Sequence, residues 1–192
     1  SLIYHCRDTS KLNPENFDTD SIKSKLGLKD KRIVMFLGTP RPHKGTEELF
    51  EAMEKISDPD VRLVLVGGDL SVQRHIDNMK NNQDKVIVFP KIPFNELPDY
   101  LSAADILAIP QRDTTDTQGQ IPAKLFDGMA MAKPIITTPI SDIPEVLGGH
   151  GYLIEPGNSE QLANTINFIF ANPEEARLKG ENARKRCQEL YD

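Results

Sequence analysis

The sequence has little cysteine, no long apolar run and no basic segment, and each absence excludes a class of protein. Its two cysteines, Cys6 and Cys187, stand near opposite ends of a 192-residue chain. That spacing excludes a thiolate zinc site or a disulfide framework, and it predicts a reducing, cytoplasmic compartment. No apolar run approaches the roughly 20 residues that cross a bilayer, and the N-terminus lacks the pattern of a signal peptide. The 23 basic and 29 acidic residues form no stretch basic enough to bind nucleic acid.

The remaining composition is that of a folded domain. Hydrophobic residues make up 38%, charged residues 27%, and the mean hydropathy is -0.44. A domain of this size buries roughly 70% of its unfolded surface, so it needs no disulfide or metal for stability. The chain begins with Ser1 and an irregular stretch that includes Tyr4, His5 and Arg7. We therefore expect residues 1–30 to be a linker and entry helix from a missing N-terminal domain, and residues 31–192 to form one domain.

Short apolar runs with β-branched residues recur along the chain. They predict six strands, at residues 33–37, 62–66, 86–89, 106–109, 135–138 and 152–154. The first, second and fourth are nearly continuous, which is typical of strands covered on both faces of a parallel sheet.

Helical patterns alternate with these runs. They predict helices at residues 46–57, 71–81, 95–104, 122–131, 159–170 and 173–191, with Asn95 as the cap of the third. The alternation predicts an α/β fold, a Rossmann-like doubly wound parallel sheet of about six strands. Such a sheet binds ligands at the carboxyl ends of its strands, so the loops there are the candidate site.

The loop after the first strand, residues 38–46, has the features of an anion site. Gly38 lets the chain turn off the strand, and Arg41 and Lys44 bring positive charge to the start of a helix. His43 precedes Lys44 and Gly45 follows it, so this is not the phosphate loop of nucleoside triphosphatases. The alternative is an ordinary loop with solvated basic residues. We interpret His43 as a helix-start residue and not as a general base.

The segment after the fourth strand contains a second candidate. A polar loop at residues 111–120 precedes a helix with Pro122 in its first turn, which leaves the amides of residues 123–125 free for an anion. Lys124 adds a charge beside them, and Asp127 lies on the same face, where its carboxylate could accept both hydroxyls of a ribose. The alternative is a surface ion pair between Lys124 and Asp127, which stabilises a helix by only tenths of a kcal/mol.

The order and spacing of these motifs resemble the C-terminal, donor-binding half of family 4 ("group 1") glycosyltransferases of the GT-B fold. The resemblance spans residues 33–191. It rests on Gly38 with Lys44-Gly45, Leu63-Val64-Leu65-Val66-Gly67, Val86-Ile87-Val88-Phe89 with Pro93, Leu101-Ser102-Ala103-Ala104-Asp105, Pro110, Lys124-Leu125-Phe126-Asp127 with Met129-Ala130, Lys133-Pro134-Ile135-Ile136, Glu145, and Gly151-Tyr152-Leu153.

The resemblance implies a nucleoside-diphosphate sugar as donor, transfer with retention of configuration, and no required cofactor or metal. It implies an N-terminal acceptor-binding domain as partner, no membrane contact for the present domain, and a full-length protein that is cytoplasmic or at the inner face of a membrane. Lys44 and Lys124 are the implied catalytic residues. The implied donor-binding residues are Gly38, Arg41, Lys44, Gly67, Lys91, Ile92, Gln120, Ile121, Pro122, Ala123, Lys124 and Asp127.

Some positions depart from the family pattern. Two Glu residues usually stand eight positions apart, whereas this chain has Gly119 and Asp127. Gln118 or Gln120 is a candidate to replace the hydrogen bonds of the missing Glu. These departures leave open a degenerate nucleotide-binding or scaffolding module, and a sugar-nucleotide epimerase is a third alternative.

Two segments, residues 18–20 and 58–60, have the Asp-x-Asp pattern of a metal-binding motif. Asp18 has the position of a helix cap, and residues 58–60 have the composition of a turn. We assign a metal to neither.

Overall fold

Six parallel strands form one sheet in the order β3-β2-β1-β4-β5-β6. The computed structural model describes residues 6–192, apart from the side chains at positions 70 and 71, so Tyr4 and His5 lie outside the described residues. The strands are β1 (Arg32–Leu37), β2 (Val61–Val66), β3 (Val86–Phe89), β4 (Ile106–Ile109), β5 (Ile135–Thr137) and β6 (Tyr152–Leu153). The predicted doubly wound parallel sheet is confirmed, and its direction of winding reverses between β1 and β4.

Helices flank both faces of the sheet. They are α1 (Thr19–Lys25), α2 (Thr46–Lys55), α3 (Leu70–Asn78), α4 (Leu97–Ala103), α5 (Ala123–Ala130), α6 (Ile143–Leu147), α7 (Ser159–Ala171) and α8 (Pro173–Leu190). The prediction that Asn95 caps α4 is wrong, because Asn95 lies inside a 3-10 turn, Phe94–Glu96. Pro98 lacks an N–H and fits only the first helical turn, so the α-helix begins at Leu97. Within residues 6–192 no helix is both long and apolar enough to cross a membrane.

The core has two layers because alternate residues of each strand face opposite sides of the sheet. Ile33, Met35 and Leu37 of β1 pack with α5 and α8, whereas Val34 and Phe36 pack with α2 and α7. All five are buried. Strands covered on both faces explain why the run at residues 33–37 is continuously apolar.

Close backbone contact joins the start of α2 to the end of β4. Gly45 precedes α2 with φ +71°, and a Cβ built on it would lie 1.7 Å from the carbonyl oxygen of Pro110. Only glycine fits there, so Gly45 sets how closely the loop after β1 approaches the loop after β4. The first loop carries Lys44, and the second leads into α5, which carries Lys124 and Asp127.

Replacing Gly45 tests this contact against a matched position. Gly45→Ala should lower the free energy of unfolding by about 3 kcal/mol or more, because it adds a steric clash to the strain of a left-handed backbone. Gly119 has a similar φ of +75° but nothing within 4 Å of its Cβ position. Gly119→Ala should therefore lower the free energy by only about 1 kcal/mol. Urea denaturation measures both, and equal losses would contradict the importance of the Pro110 contact.

Candidate functional site

The floor of the site consists of two glycines at the carboxyl ends of neighbouring strands. Gly38 follows β1 with φ +104°, and Gly67 follows β2 with φ +97°. The Gly38 amide donates to the Val66 carbonyl at 2.8 Å. A Cβ on Gly67 would lie 3.1 Å from the Gly38 carbonyl carbon. Gly38 is exposed at the edge of the sheet, whereas Gly67 is buried against it.

The ammonium groups of two lysines converge above Gly38. The Nζ atoms of Lys44 and Lys124 each lie 3.9 Å from the position that a Cβ on Gly38 would occupy. Lys44 Nζ donates to the Thr39 carbonyl at 2.9 Å, and Lys124 Nζ donates to the Leu37 carbonyl at 2.6 Å. Among residues 6–192, no carboxylate lies within ion-pair distance of either ammonium. The alternative of freely solvated basic residues is therefore wrong for Lys44, which is half-buried.

These charges act on one another. Burial, and then the charge of Lys44, lower the pKa of Lys124 from 10.5 to about 7. Burial also lowers the pKa of Lys44, and the nearby charges of Arg41 and Lys91 lower it further. The loops after β1 and β3 and the start of α5 thus bring four cations to one edge of the sheet. A bound anion would offset the unfavourable free energy of burying these ammonium groups and would reduce the repulsion between them.

The first turn of α5 supplies backbone donors beside Lys124. The amides of Ala123 and Lys124 precede the first hydrogen bond of the helix. The third amide expected to be free is not, because the Leu125 amide donates to the Pro122 carbonyl at 2.9 Å. Pro122 is the residue before the helix and does not lie inside its first turn. Two amides, and not three, therefore remain available to an anion at the start of α5.

Asp127 is buried and makes an ion pair that the sequence did not reveal. Its Oδ1 accepts from Nε of Arg7, and Nη2 of Arg7 donates to the Ala123 carbonyl at 3.3 Å. The alternative of a Lys124–Asp127 surface pair is therefore wrong. No local pattern pairs residues 120 positions apart, so only the folded chain could identify Arg7.

The polar loop at residues 111–120 is anchored more firmly than its composition indicates. Thr117 is fully buried, and its hydroxyl donates to the Arg112 carbonyl at 2.6 Å. The Arg112 side chain makes ion pairs with Glu47 and Glu48 of α2. Its amide donates to the carbonyl of His43 at 2.9 Å. These contacts tie the loop after β4 to the loop after β1, the two loops on either side of the cationic pair.

The end of this loop is open where the family pattern has a Glu. Gly119 donates from its amide to Ser141 Oγ at 2.8 Å. The side-chain amide of Gln118 donates to Asp113, and that of Gln120 donates to the carbonyl of Asp116. Both glutamines therefore bond within their own loop.

The other predicted donor-binding residues lie near the same edge. Ile92 and Ile121 are half-buried and pack against the layer of α5 and α8, whereas Lys91 is exposed. His43 lies in the 3-10 turn Pro42–Lys44 just before α2, which fits its interpretation as a helix-start residue, and its Nδ1 lies 3.7 Å from Oδ2 of Asp116.

Three of the four carboxylates in the two Asp-x-Asp sequences have structural partners. Asp18 caps α1 by accepting from the Ser21 amide, as predicted. Asp60 forms an ion pair with Lys31, and Asp58 with Arg32. In the described part of the chain, no three His, Cys, Asp or Glu side chains are grouped closely enough to hold a metal ion.

Comparison with known proteins identifies relatives over nearly the whole chain. Residues 18–186 match the family described as glycosyl transferases group 1. Spore coat protein SA of Bacillus subtilis is 26% identical over 201 residues, which cover 98% of this chain and 52% of that protein. The chain spans about half the length of the curated relatives it matches.

Solved structures share the fold. HepE of Anabaena in complex with UDP has a TM-score of 0.87 at 21% identity, covering 100% of this chain and 53% of its own. The C-terminal domain of LpcC, a glycosyl transferase group 1 family protein of Francisella tularensis, has a TM-score of 0.83 at 21% identity, with 97% and 98% coverage. At this identity the two comparisons establish the fold alone.

The lowered pKa of Lys124 predicts a pH-dependent stability. Between about pH 7 and 10.5 the unfolded chain keeps a proton on Lys124 that the folded chain has lost. Stability therefore rises with pH in this window. From pH 7 to 9 the unfolding free energy of wild type should therefore increase relative to that of Lys124→Met, by on the order of 1 kcal/mol. Lys55→Met, at an exposed position on α2, should show no such trend, and a flat difference for Lys124→Met would contradict the shift.

Proposed function

The chain belongs to the group 1 glycosyl transferase family, and on that premise we propose that it is the donor-binding domain of an enzyme that transfers a sugar from a nucleoside diphosphate to an acceptor. One observation carries the proposal. Lys44 and Lys124 place their ammonium groups over the same glycine without a carboxylate partner in the described residues. Two half-buried cations in that arrangement favour a ligand with at least two negative charges, such as a diphosphate.

The proposed chemistry assigns a role to each group. When the bond between the sugar and the diphosphate breaks, negative charge develops on the leaving oxygen. Lys44, Lys124 and the amides of residues 123 and 124 stabilise that charge in a preorganised site. Asp127 accepts hydrogen bonds from the ribose, and Lys91 and Ile92 border the base. Transfer proceeds with retention of configuration and needs no metal, because protein cations hold the diphosphate.

The relatives support a two-domain enzyme. HepE is described with UDP and with UDP-glucose, and another relative, from Mycolicibacterium smegmatis, is a GDP-mannose-dependent mannosyltransferase. The chain covers about half of such proteins and nearly all of the C-terminal domain of LpcC. We infer that residues 1–30 connect to an N-terminal acceptor-binding domain, that residues 31–192 hold the donor, and that the protein acts in the cytoplasm.

A second candidate is a scaffolding module that keeps the fold without turnover. The open space at Gly119, where the family pattern has a Glu, favours it. An assay of the full-length protein separates the two candidates. Sustained sugar transfer or donor hydrolysis that Lys44→Gln abolishes would exclude the scaffold.

Nucleotide titration tests the proposal directly. Calorimetry or NMR should detect saturable, weak binding of UDP or GDP to the 192-residue chain, with no sugar transfer, because half of the cleft is missing. Lys44→Gln and Lys124→Gln should each weaken binding at least about tenfold, the scale of one charge-assisted hydrogen bond. Lys55→Gln removes the same charge near the opposite end of α2 and should leave affinity unchanged. No saturable signal at millimolar UDP or GDP would contradict the proposal.

Proton uptake on binding is a second test, which asks whether Lys124 contacts the diphosphate. Lys124 has a pKa of about 7 in the free chain. At pH 8 it is mostly neutral, and a bound anion favours its ammonium form. Binding should therefore take up nearly one proton, and affinity should fall as pH rises from 7 to 9. Calorimetry at pH 8 in two buffers of different ionisation enthalpy measures the uptake. Lys124→Gln should abolish the proton uptake, whereas Lys55→Gln should retain it. Uptake that persists in Lys124→Gln would show that another group takes up the proton.

A further inference from the structure

Arg7 reaches the candidate site from the far end of the sequence. Its Nε donates to Asp127 Oδ1, and its Nη2 donates to the Ala123 carbonyl at 3.3 Å. The Arg7 and Asp127 side chains are only 16% and 6% exposed. The carboxylate assigned to the ribose therefore contacts a partly buried cation from the N-terminal segment, which is not one of the loops at the edge of the sheet.

The contact between Arg7 and Asp127 is separate from the cationic pair. Arg7 contacts the Asp127 carboxylate and the backbone carbonyl of Ala123, one helical turn earlier. The Lys124 ammonium lies over Gly38 beside Lys44, and it makes no ion pair with Asp127. Arg7 is therefore the cation that holds this carboxylate.

The backbone around Arg7 is itself held in place. The Arg7 amide donates to the Tyr191 carbonyl at 2.8 Å, and the Thr9 amide donates to Asp192 Oδ1 at 2.9 Å. Arg184 of α8 donates to the carbonyls of Leu12 at 2.7 Å and Thr9 at 3.2 Å. Because both backbone and side chain are fixed, Arg7 can impose one orientation on Asp127.

We propose that Arg7 is a positioning residue for ribose recognition, an inference that rests on the proposed function. It orients the Asp127 carboxylate toward the two ribose hydroxyls and does not itself contact the nucleotide. Preorganisation of this kind raises affinity because the carboxylate need not be ordered on binding. The segment at residues 7–12 thereby becomes part of the donor site.

The test compares a ribonucleotide with its 2′-deoxy counterpart. For UDP and 2′-deoxy-UDP (or the guanosine pair, if GDP binds more tightly), calorimetry gives the ratio of the two Kd values. Wild type should bind the deoxy compound about tenfold more weakly, the scale of one charge-assisted hydrogen bond. Asp127→Asn and Arg7→Met should each bring the ratio close to one. The double variant should bring it no lower, because both changes remove the same interaction.

Two further variants separate positioning from structural support. Arg184→Met loosens the same junction without touching Asp127, so it should lower the Tm and keep the wild-type ratio. Arg7→Lys keeps the charge but loses the two-pronged contact, and it should give an intermediate ratio. Arg7→Lys also decides the question if Arg7→Met does not fold.

Each other outcome overturns the inference in a recognisable way. A wild-type ratio in both Arg7 variants would assign Arg7 a structural role only. Tighter binding of the ribonucleotide by Arg7→Met would show that Arg7 competes with the ribose. An unchanged ratio in Asp127→Asn would remove the ribose role of Asp127, and the inference with it. No binding of either nucleotide by wild type would instead overturn the proposed function.

Discussion

The repulsion between two half-buried ammonium groups is the constraint on which the site depends. Lys44 and Lys124 share the space above Gly38, where backbone carbonyls accept from them but no carboxylate in the described residues neutralises them. Burial of unpaired charge is unfavourable, and here two such charges also repel each other. The electrostatic potential that destabilises the unliganded site is the same potential that attracts an anion. Stability and ligand affinity therefore oppose each other at Lys124.

The arrangement of the two lysines depends on the backbone geometry of the sheet and its loops. The doubly wound sheet brings the ends of β1 and β4 together where its direction reverses, and Gly38, Gly67 and Gly45 allow the loops to approach one another closely. A side chain at Gly38 would fill the space between the two ammonium groups. A side chain at Gly45 would push α2 away from the loop after β4. The glycines thus determine the spacing of the charges.

Much of the fold and the main cationic pair could be predicted from the sequence, because both follow from local patterns and one topological rule. Short apolar runs, three of them nearly continuous, identified all six strands, and parallel winding places the loop with Lys44 and the start of α5 with Lys124 at one edge. The Arg7–Asp127 pair could not be predicted, because it joins residues 120 positions apart through tertiary packing. Burial of Thr117 was missed for a different reason. A polar loop can satisfy its own hydrogen bonds and pack inward, which composition does not reveal.

The depressed pKa of Lys124 also has a consequence for chemical reactivity. An ordinary lysine keeps only about one amine in a few thousand unprotonated at pH 7, whereas Lys124, with a pKa of about 7, is close to half unprotonated. A neutral amine is a nucleophile, and the neighbouring Lys44 attracts reagents that carry negative charge. Anionic aldehydes should form an imine at Lys124 in preference to the solvated lysines. The burial that lowers the pKa of Lys124 therefore also makes this residue selectively modifiable by covalent probes.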